Sequence, residues 1–408
     1  MKDQSFNYKG MPTEVFAAFR RAGQEHVFRF WNEIDENGRI ALVRQARSID
    51  LNLVRELATG RGLAPHPDPA AEKGPAPVLA LGEEPRFARR AHAMRVGGDL
   101  LKAGKVGTFL VAGGQGSRLG FEGPKGCLPA GPLSLKSLFQ LHAEKVLALS
   151  ERHGARMPIY IMTSIANDPA TRAFFERHGF FGLRPENVLF IPQKMLPALD
   201  AAGKLVLEGT SRLFLSPNGH GGAYEAFKDG GALADAERRG LEHIFYFQVD
   251  NPLVRIADPL FLGFHALAGS EMSLKVLRKT GPEEKIGVVA LEDEKTKVLE
   301  YSDLSPEDAA RLDPSGGLLF WAGSIAIHAF SLPFFRRVAA GGITLPFHAA
   351  RKKVLSVDEG GAPIEIEATK HETFIFDALP FARKSLCVEV ERKEEFAPIK
   401  NQKGVDSL

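Results

Sequence analysis

The sequence predicts an α/β fold, in which a mostly parallel sheet is covered by helices on both faces. Two observations support this prediction. From about residue 104 onward, short apolar runs typical of buried strands alternate with segments that carry helical periodicity. Such alternation is typical of βαβ units, whose helices cross the faces of the sheet. The chain of 408 residues is 44% hydrophobic, so it can bury the core that such a sheet needs.

The individual elements follow from these patterns. Strands are predicted at residues 108–111, 158–163, 188–191, 244–249, 273–276, 287–290 and 324–327. Helices are predicted between them at residues 136–149, 169–177, 222–239 and 259–268. The order of the strands in the sheet does not follow from the pattern.

The first hundred residues differ from the rest of the chain. Apolar residues recur at helical spacing through residues 13–60, and five prolines between residues 65 and 77 then predict an extended connector. A further helix is predicted from about Phe87 to Lys102. We therefore divide the chain into an N-terminal helical region at 1–103, an α/β domain at 104–385 and a short C-terminal segment at 386–408.

The charge and the cysteine content exclude several classes of protein. The net charge of +2 gives no general attraction to nucleic acid or to a membrane surface, so an anion site has to be local. No apolar run reaches the roughly 18 residues of a membrane span, and the first residues lack the apolar core of a signal peptide. Cys127 and Cys387 are the only cysteines, which fits a reducing compartment. We expect a cytoplasmic protein that binds neither nucleic acid nor membrane.

A glycine-rich segment at residues 112–126 follows the first predicted strand and precedes the helix that opens near Ser137. It contains six glycines, so backbone N–H groups can approach a polyanion without hindrance from a Cβ atom. Arg118 and Lys125 add two positive charges to the same segment. The segment therefore predicts a phosphate-binding loop.

The spacing of these glycines excludes two common loops of this kind. The Walker pattern Gly-x-x-x-x-Gly-Lys-Ser/Thr is absent from the chain. Gly114-x-Gly116 is followed by Leu119 where the dinucleotide fingerprint has its third glycine, and no convincing ribose-binding acid follows. These departures disfavour a Rossmann-type oxidoreductase. What remains is Gly-Gly-x-Gly-x-Arg-Leu-Gly, with Pro124 and Lys125 shortly after it.

Two further segments carry residues that suit a nucleotide. Residues 216–224 hold a second glycine cluster ahead of a helix, where backbone N–H groups favour anions. Asp250 follows an apolar strand, at the edge where open α/β sheets bind ligands, and is a natural ligand for Mg²⁺. Each of them alone is better explained as an ordinary loop or turn cap. The phosphate-binding loop favours the functional interpretation of both.

The loop resembles the signature of the sugar-nucleotide pyrophosphorylases, which make an NDP-sugar from an NTP and a sugar 1-phosphate. The residues that carry this resemblance are Arg118, Leu119, Gly120, Pro124 and Lys125. The eukaryotic-type UDP-sugar pyrophosphorylases, typified by UDP-N-acetylglucosamine pyrophosphorylase, are similar to the chain from about residue 23 to residue 403. The resemblance implies a Rossmann-like nucleotidyltransferase domain of the GT-A-like kind, with a mixed sheet. Such relatives continue into a C-terminal domain, so residues 386–408 are expected to be the start of that region, either truncated or naturally shortened.

Four more segments resemble the family, in the family's order along the chain. Residues 192–198 resemble a Gln-Gly-Met-Leu-Pro-Ala segment, and residues 298–303 resemble a Val-Val-Glu-Tyr-Ser-Glu segment. Residues 370–377 match Lys-x-Glu-x-Phe-Val-Phe-Asp, and residues 396–401 align with Phe-Ser-Pro-Leu-Lys-Asn. Taken singly, their charged and aromatic residues would be assigned to the surface or the core. Their common order favours a shared site.

The resemblance implies a role for each matching position. The implied catalytic cations, facing the UTP phosphates and the sugar phosphate, are Arg118, Lys125, Lys370 and Lys400. Nucleotide contacts are implied for Ala112, Gly113, Gly114, Gln193, Gly219 and His220, with the uracil on Gln193. Sugar contacts are implied for Asn218, Glu300, Ser324, Phe374 and Phe376, and a Mg²⁺ cofactor is implied on Asp250.

The expected activity is that of a uridylyltransferase, which forms a UDP-sugar and pyrophosphate from UTP and a sugar 1-phosphate. His220 and Ser324 stand where the N-acetylglucosamine enzymes carry asparagines, and Trp321 adds bulk nearby. These differences favour a plain hexose such as glucose 1-phosphate, because a buried N-acetyl group without a hydrogen-bond partner costs ~1–3 kcal/mol. N-acetylglucosamine 1-phosphate is the alternative substrate. A nucleotide-binding regulator without turnover is the alternative of a different class, and the oligomeric state does not follow from the sequence.

Overall fold

The structure, a computed structural model, describes residues 9–65, 71–82 and 86–407, without the side chains of residues 86–88. Contacts within the chain group it into two units. The smaller unit comprises Met1–Pro65, Lys194–Gly221 and Leu345–Phe374, and the larger unit comprises His66–Gln193, Gly222–Thr344 and Ile375–Leu408. Each unit is therefore assembled from segments that are distant in sequence.

The α-helices in the described residues are α1 (Thr13–Arg21), α2 (Glu36–Ser48), α3 (Leu51–Ala58), α4 (Arg86–Lys102), α5 (Leu138–His153), α6 (Asp168–Arg177), α7 (Ala223–Asp229), α8 (Ala232–Arg238), α9 (Pro259–Leu267), α10 (Pro306–Ala310), α11 (Leu332–Arg337) and α12 (Arg392–Glu395). Within these residues, none of the helices combines the length and the apolar character that crossing a membrane requires.

The strands are β1 (Lys73–Pro75), β2 (Val78–Leu79), β3 (Val106–Val111), β4 (Ile159–Ser164), β5 (Val188–Gln193), β6 (Met195–Pro197), β7 (Leu207–Gly209), β8 (Arg212–Leu213), β9 (Leu215–Pro217), β10 (His243–Gln248), β11 (Met272–Arg278), β12 (Val288–Glu292), β13 (Lys295–Leu299), β14 (Ala322–Ser331), β15 (His348–Val357), β16 (Pro363–Glu372) and β17 (Ser385–Glu389).

The larger unit is built on one mixed sheet, whose neighbouring strands follow the order β2-β17-β11-β14-β10-β3-β4-β5. Strands β10, β3, β4 and β5 are parallel, while β14 runs antiparallel to both β10 and β11. Strand β12 extends the sheet by pairing with β14, β13 and β1. The α/β fold with a mixed sheet, which the resemblance implies, is confirmed. Because β3, β4, β5 and β10 are parallel, their carboxyl ends lie at one edge.

Burial explains why the sequence forms these central strands. All six residues of β4 are buried, as are the first five of β3. A strand that is covered on both faces reads as a continuous apolar run rather than as an alternating one. The apolar runs that predict these strands are therefore a direct consequence of helices covering the sheet.

Helices α4 and α9 of this unit pack against each other at their backbones. A Cβ atom on Gly97 would lie 1.8 Å from the carbonyl oxygen of Pro259, and one on Gly263 would lie 1.8 Å from that of Ala93. Such distances leave no room for a side chain. Glycine at these two positions therefore sets the spacing of the helix pair.

The smaller unit contains α1–α3 and the long antiparallel hairpin of β15 and β16, whose register runs from His348 opposite Glu372 to Val357 opposite Pro363. Side-chain caps start two of its helices. Asp35 accepts a hydrogen bond from the backbone N–H of Gly38, and Asp50 accepts from the first turn of α3. Phe28 and Trp31 are among the rings that fill its core.

The structure differs from the predicted elements at several places. The helix predicted at 222–239 is divided into α7 and α8 by Gly230 and Gly231, the latter with a φ of +79° that favours glycine. The sequence pattern does not predict β15 and β16, because much of this charged hairpin is exposed. Pro75 of the predicted connector lies in β1, and Pro67 and Pro69 lie outside the described residues.

The predicted domain boundaries at 103 and 385 follow the order of the chain and stay a prediction. The two units cut across that order, because residues 194–221 and 345–374 are grouped with the first 65 residues. The predicted C-terminal segment contributes β17, which pairs with β11 in the main sheet.

His142 in α5 makes the stability of the larger unit sensitive to acid. Its side chain is fully buried against Phe247, and its Nε2 lies 3.0 Å from the carbonyl oxygen of Val249. Burial lowers the pKa of His142 from its ordinary value of 6.5 to about 4. Below pH 6.5 the unfolded chain therefore takes up a proton that the folded chain refuses, so the free energy of unfolding falls as the pH falls toward 4.

We predict that His142→Gln weakens this dependence, because glutamine keeps a donor for Val249 and does not titrate. Between pH 7 and pH 5 the wild type should lose about 2 kcal/mol more than the variant, from 1.36 kcal/mol per pKa unit. Urea titrations at both pH values measure the difference. The control is His92→Gln, at an exposed histidine of α4, which should keep the wild-type dependence. Equal losses in wild type and His142→Gln would contradict the prediction.

Candidate active site

The glycine loop at residues 112–126 leaves the carboxyl end of β3 and folds back on itself. The backbone N–H of Gly116 donates to the carbonyl of Gly123 at 2.9 Å, and that of Lys125 donates to the carbonyl of Gly114 at 3.1 Å. Gly126 lies under the ring of Phe139, which would be 2.2 Å from a Cβ atom there. The glycines therefore allow the loop to pack closely, in addition to leaving its backbone N–H groups accessible to a ligand.

Gln193, the last residue of β5, lies against the start of this loop. A Cβ atom on Gly113 would be 2.5 Å from the Nε2 of Gln193, so only glycine allows this approach. The Gln193 side chain is nearly buried, and among the described residues its Oε1 has no hydrogen-bond partner. A buried amide with a spare acceptor is suited to a ligand that supplies an N–H group.

Asn167 fixes the first part of the loop, and the sequence analysis missed it. Its fully buried side chain donates to the carbonyls of Ala112 at 3.0 Å and Gly114 at 3.3 Å. Its Oδ1 accepts from the backbone N–H of Ser164 at 2.8 Å. Asn167 follows β4 in a short turn, where a lone Asn carries no signal beyond turn formation.

Lys125 and Asp250 meet at this edge of the sheet. Asp250 follows β10, and the Lys125 Nζ lies 3.5 Å from its Oδ2, with both side chains only 14% exposed. The parallel pairing of β10 with β3, which places Gln248 opposite Val111, brings the two segments to one edge. The predicted metal ligand and the predicted catalytic lysine are thus neighbours.

Two further predicted cations surround this pair. Burial lowers the pKa of Lys125, Asp250 opposes that shift, and the positive charges of Arg118 and Lys400 lower the pKa further. The segment that carries Lys400 is fixed here because the N–H of Ile399 donates to the carbonyl of Asp250 at 2.8 Å. Lys400 itself lies 3.5 Å from Asp406, and Arg118 is exposed. These three cations outnumber the two carboxylates that pair with them, Asp250 and Asp406, and the excess of positive charge suits a polyphosphate.

Glu300 and Ser324 are brought together around Gly287. The Oε1 of Glu300 would lie 3.1 Å from a Cβ atom on Gly287, whose carbonyl accepts a hydrogen bond of 2.8 Å from the N–H of Ser324. These two predicted sugar contacts thus share one small region of the larger unit. The indole of Trp321 lies beneath the guanidinium of Arg278, 4.2 Å from the ring centre. Phe376, a third predicted contact, is 7% exposed and offers little surface to a ligand.

The remaining predicted residues lie in the smaller unit. The backbone of Asn218 accepts from the N–H and the hydroxyl of Thr373, and Gly219 packs so closely that a Cβ atom would be 2.5 Å from the Thr373 carbonyl. His220 stacks on Phe374 with ring centres 5.1 Å apart, and His348 stacks on Phe374 at 4.2 Å.

Burial, and then the charge of His348, lowers the pKa of His220 to about 4, so His220 is neutral at pH 7. Lys370 lies over the ring of Phe214 at 4.7 Å. The predicted site residues are thus divided between the two units, with the loop, Gln193, Asp250, Lys400, Glu300, Ser324 and Phe376 in the larger unit and Asn218, Gly219, His220, Lys370 and Phe374 in the smaller unit.

The side chains near Asp250 limit the kind of metal site that this edge of the sheet can form. In the described part of the chain, no three side chains of His, Cys, Asp or Glu are grouped as a metal ion would need. Mg²⁺ is commonly held by one or two carboxylates, with substrate phosphates and waters completing its shell. The single carboxylate of Asp250, beside cations that attract phosphate, fits that kind of site and does not fit an all-protein cage.

Comparison with known proteins extends these observations. The sequence profile of the UTP–glucose-1-phosphate uridylyltransferase family matches residues 96–405. The chain is 40% identical to the human UDP-N-acetylhexosamine pyrophosphorylase-like protein 1, over 96% of this chain and 81% of that protein. It is 39% identical to the UDP-N-acetylglucosamine pyrophosphorylase of Saccharomyces cerevisiae, over 76% and 67% of the two chains.

A solved structure with a similar fold belongs to the same group of enzymes by name. The uridine diphosphate N-acetylglucosamine pyrophosphorylase of Trypanosoma brucei, determined with an inhibitor, superposes with a TM-score of 0.82 at 27% identity, over 98% of this chain and 84% of that one. The chain therefore belongs to the UTP–glucose-1-phosphate uridylyltransferase family of nucleotidyltransferases, in its eukaryotic UDP-N-acetylhexosamine pyrophosphorylase branch.

Proposed function

We propose that the protein is a UDP-N-acetylglucosamine pyrophosphorylase, which forms UDP-N-acetylglucosamine and pyrophosphate from UTP and N-acetylglucosamine 1-phosphate. The observation that carries the proposal is the contact of Lys125 with Asp250 at the carboxyl edge of the sheet, where the charges of Arg118 and Lys400 also act on Lys125 and the segment before Lys400 bonds to the Asp250 carbonyl. Such a grouping is suited to a triphosphate, and the family membership supports UTP as the nucleotide.

The uracil is proposed to lie on Gln193. Its buried Oε1 lacks a partner among the described residues, and the N3–H of uracil is a donor of the required kind. Gly113 is proposed as a backbone contact of the nucleotide, because the Gln193 amide packs directly against it. Contacts from Gly219 and His220 to the nucleotide are proposed on the family resemblance.

The reaction is proposed to be an in-line transfer. An oxygen of the sugar phosphate forms a bond to the α-phosphorus of UTP, and the bond to the bridging oxygen breaks, so that pyrophosphate leaves with the electron pair. The attacking phosphate has a second pKa near 6 and is largely ionised at pH 7, so no general base is required. The residues have to hold two anions together and stabilise charge on the leaving group.

The cations divide this work. Lys125 and Arg118 are proposed to neutralise the UTP phosphates, and Lys400 the phosphate of the sugar. Lys370 is proposed as a partner of the sugar phosphate on the family resemblance alone. The mutual repulsion of Lys125, Arg118 and Lys400 is relieved when an anion binds, which favours the charged transition state.

Asp250 is proposed to hold Mg²⁺ when the metal is bound, and the ion would supply further positive charge to the phosphates. The carboxylate is suited to that task because it lies beside the phosphate-binding cations and is mostly buried. Its contact with Lys125 also limits the repulsion among the cations.

The comparisons support the N-acetylated sugar, so glucose 1-phosphate, which His220 and Ser324 favoured in the sequence, is replaced as first choice. The yeast relative and the solved trypanosome protein are both N-acetylglucosamine enzymes by name. His220 stacks on Phe374 in the structure. Ring packing in the smaller unit therefore offers a reason for histidine at this position that does not depend on the sugar. Glu300 is proposed to accept hydrogen bonds from the sugar hydroxyls, and Ser324, which lies beside it at Gly287, is proposed to donate one to the sugar.

The proposal predicts that pyrophosphate is released from UTP in the presence of N-acetylglucosamine 1-phosphate. The value of kcat/KM should exceed that for glucose 1-phosphate by roughly 10- to 100-fold, the worth of one satisfied amide. A coupled pyrophosphate assay over a panel of sugar 1-phosphates measures both values. A preference for glucose 1-phosphate would overturn the choice of sugar, and UTP binding without turnover on any sugar would favour a nucleotide-binding regulator.

A second prediction concerns Asp250. Asp250→Asn should lower kcat by about 10²–10³, because the amide keeps the shape of the side chain but loses the charge that holds the metal. EDTA should inhibit the wild type, and added Mg²⁺ should restore its activity. The control is Asp99→Asn, at an exposed carboxylate of α4, which should not affect metal dependence. A wild type that is fully active in EDTA would contradict the role of Asp250.

A further inference from the structure

A buried group of charges lies in the larger unit, beside the segments that carry Asp250 and Lys400. Lys275 in β11 has no exposed side-chain surface, and its Nζ contacts both carboxylate oxygens of Glu395 at 2.8 and 2.7 Å. The same Nζ lies 3.0 Å from the Oδ2 of Asp258. Glu395 is itself only 3% exposed.

Such a group is an expensive way to stabilise a fold. The cost of removing ions from water rivals their mutual attraction, and well-packed apolar residues of similar volume commonly do as well or better. A buried ion pair does, however, specify one geometry, because each charge must meet its partner. The hydrogen bonds made by Glu395 and its neighbours show which segment this ion pair positions.

Glu395 and the residues after it are joined to the end of β10. The carbonyl of Glu395 accepts a hydrogen bond of 2.7 Å from the Nδ2 of Asn251, whose Oδ1 accepts from the N–H of Ala397 at 3.2 Å. The N–H of Ile399 then donates to the carbonyl of Asp250 at 2.8 Å. The backbone of Asp250 is thus part of this ladder of hydrogen bonds, and Lys400 is one residue away from it.

We infer that Lys275 is a positioning residue for the nucleotidyl transfer: by fixing Glu395, it sets the place of Lys400 relative to Asp250. The effect on catalysis rests on the proposed function, whereas the effect on the position of the segment does not. Lys275 touches neither substrate nor metal in this account. Its effect reaches the reaction through Glu395, Asn251 and the backbone of residues 395–400, and displacements of about 1 Å at a catalytic group can cost about 10² in rate.

The test needs a variant that folds. Lys275→Met alone leaves two carboxylates without their cation and is expected to destabilise the unit. Lys275→Met combined with Glu395→Gln removes one charge of each sign and should remain folded. In this double variant, amide hydrogen exchange of residues 395–401 should be at least 10-fold faster, while that of β10 residues 244–248 stays as in the wild type. The kcat for pyrophosphate release should fall about 10- to 100-fold, with KM for UTP changed less than about threefold.

The matched control is Asp235→Asn, which removes a buried carboxylate that pairs with Arg238 and Arg239 and accepts from Tyr160, near the amino end of β4. It should leave both kcat and the exchange of residues 395–401 unchanged. Unaltered exchange of these residues in the folded double variant would overturn the inference, as would faster exchange with an unchanged kcat. If the wild type releases no pyrophosphate with any sugar phosphate, the proposed function fails, and the exchange measurement alone decides whether Lys275 positions the segment.

Discussion

The parallel pairing of β3 with β10 is the constraint on which the candidate site depends. This pairing places Val111 opposite Gln248, and the N–H of Val249 donates to the carbonyl of Val111 at 3.0 Å. The glycine loop and Asp250 therefore emerge side by side at one edge of the sheet. A shift of register by one residue would move every side chain of a strand to the other face and separate Lys125 from Asp250.

The charge of the site is balanced in a way that favours an anion. Arg118 and Lys400 each repel Lys125, while Asp250 pairs with Lys125 and Asp406 pairs with Lys400. A phosphate group that enters this cluster relieves repulsion as well as forming new contacts. Backbone hydrogen bonds within the loop, and those of Asn167 to Ala112 and Gly114, fix the loop that carries Lys125.

The sequence predicted the parts of the site that are local in the chain. The glycine loop, Lys125 and Asp250 each lie within one strand–loop segment, where composition and order carry the information. Asn167 and Lys275 escaped notice because their partners are remote in sequence: Asn167 bonds to Ala112, and Lys275 pairs with Glu395. Only the folded sheet brings such residues together.

The hairpin of β15 and β16 does not follow from the sequence for another reason, since its exposed charged residues lack the apolar run of a buried strand. The sugar could not be settled by comparing His220 with asparagine, because packing on Phe374 also constrains that residue.

The central claim is that the cation cluster at the carboxyl edge of the sheet binds the phosphates of UTP. Calorimetric titration of UTP and of uridine into the wild type, Lys125→Met and Arg118→Met tests it most directly. Each variant should bind UTP roughly 10- to 150-fold more weakly, which corresponds to the loss of about 1.5–3 kcal/mol for one charged hydrogen bond. The affinity for uridine should be unchanged. Lys102→Met, at an exposed lysine of α4, should match the wild type. Equal UTP affinities in all four folded proteins would contradict the claim.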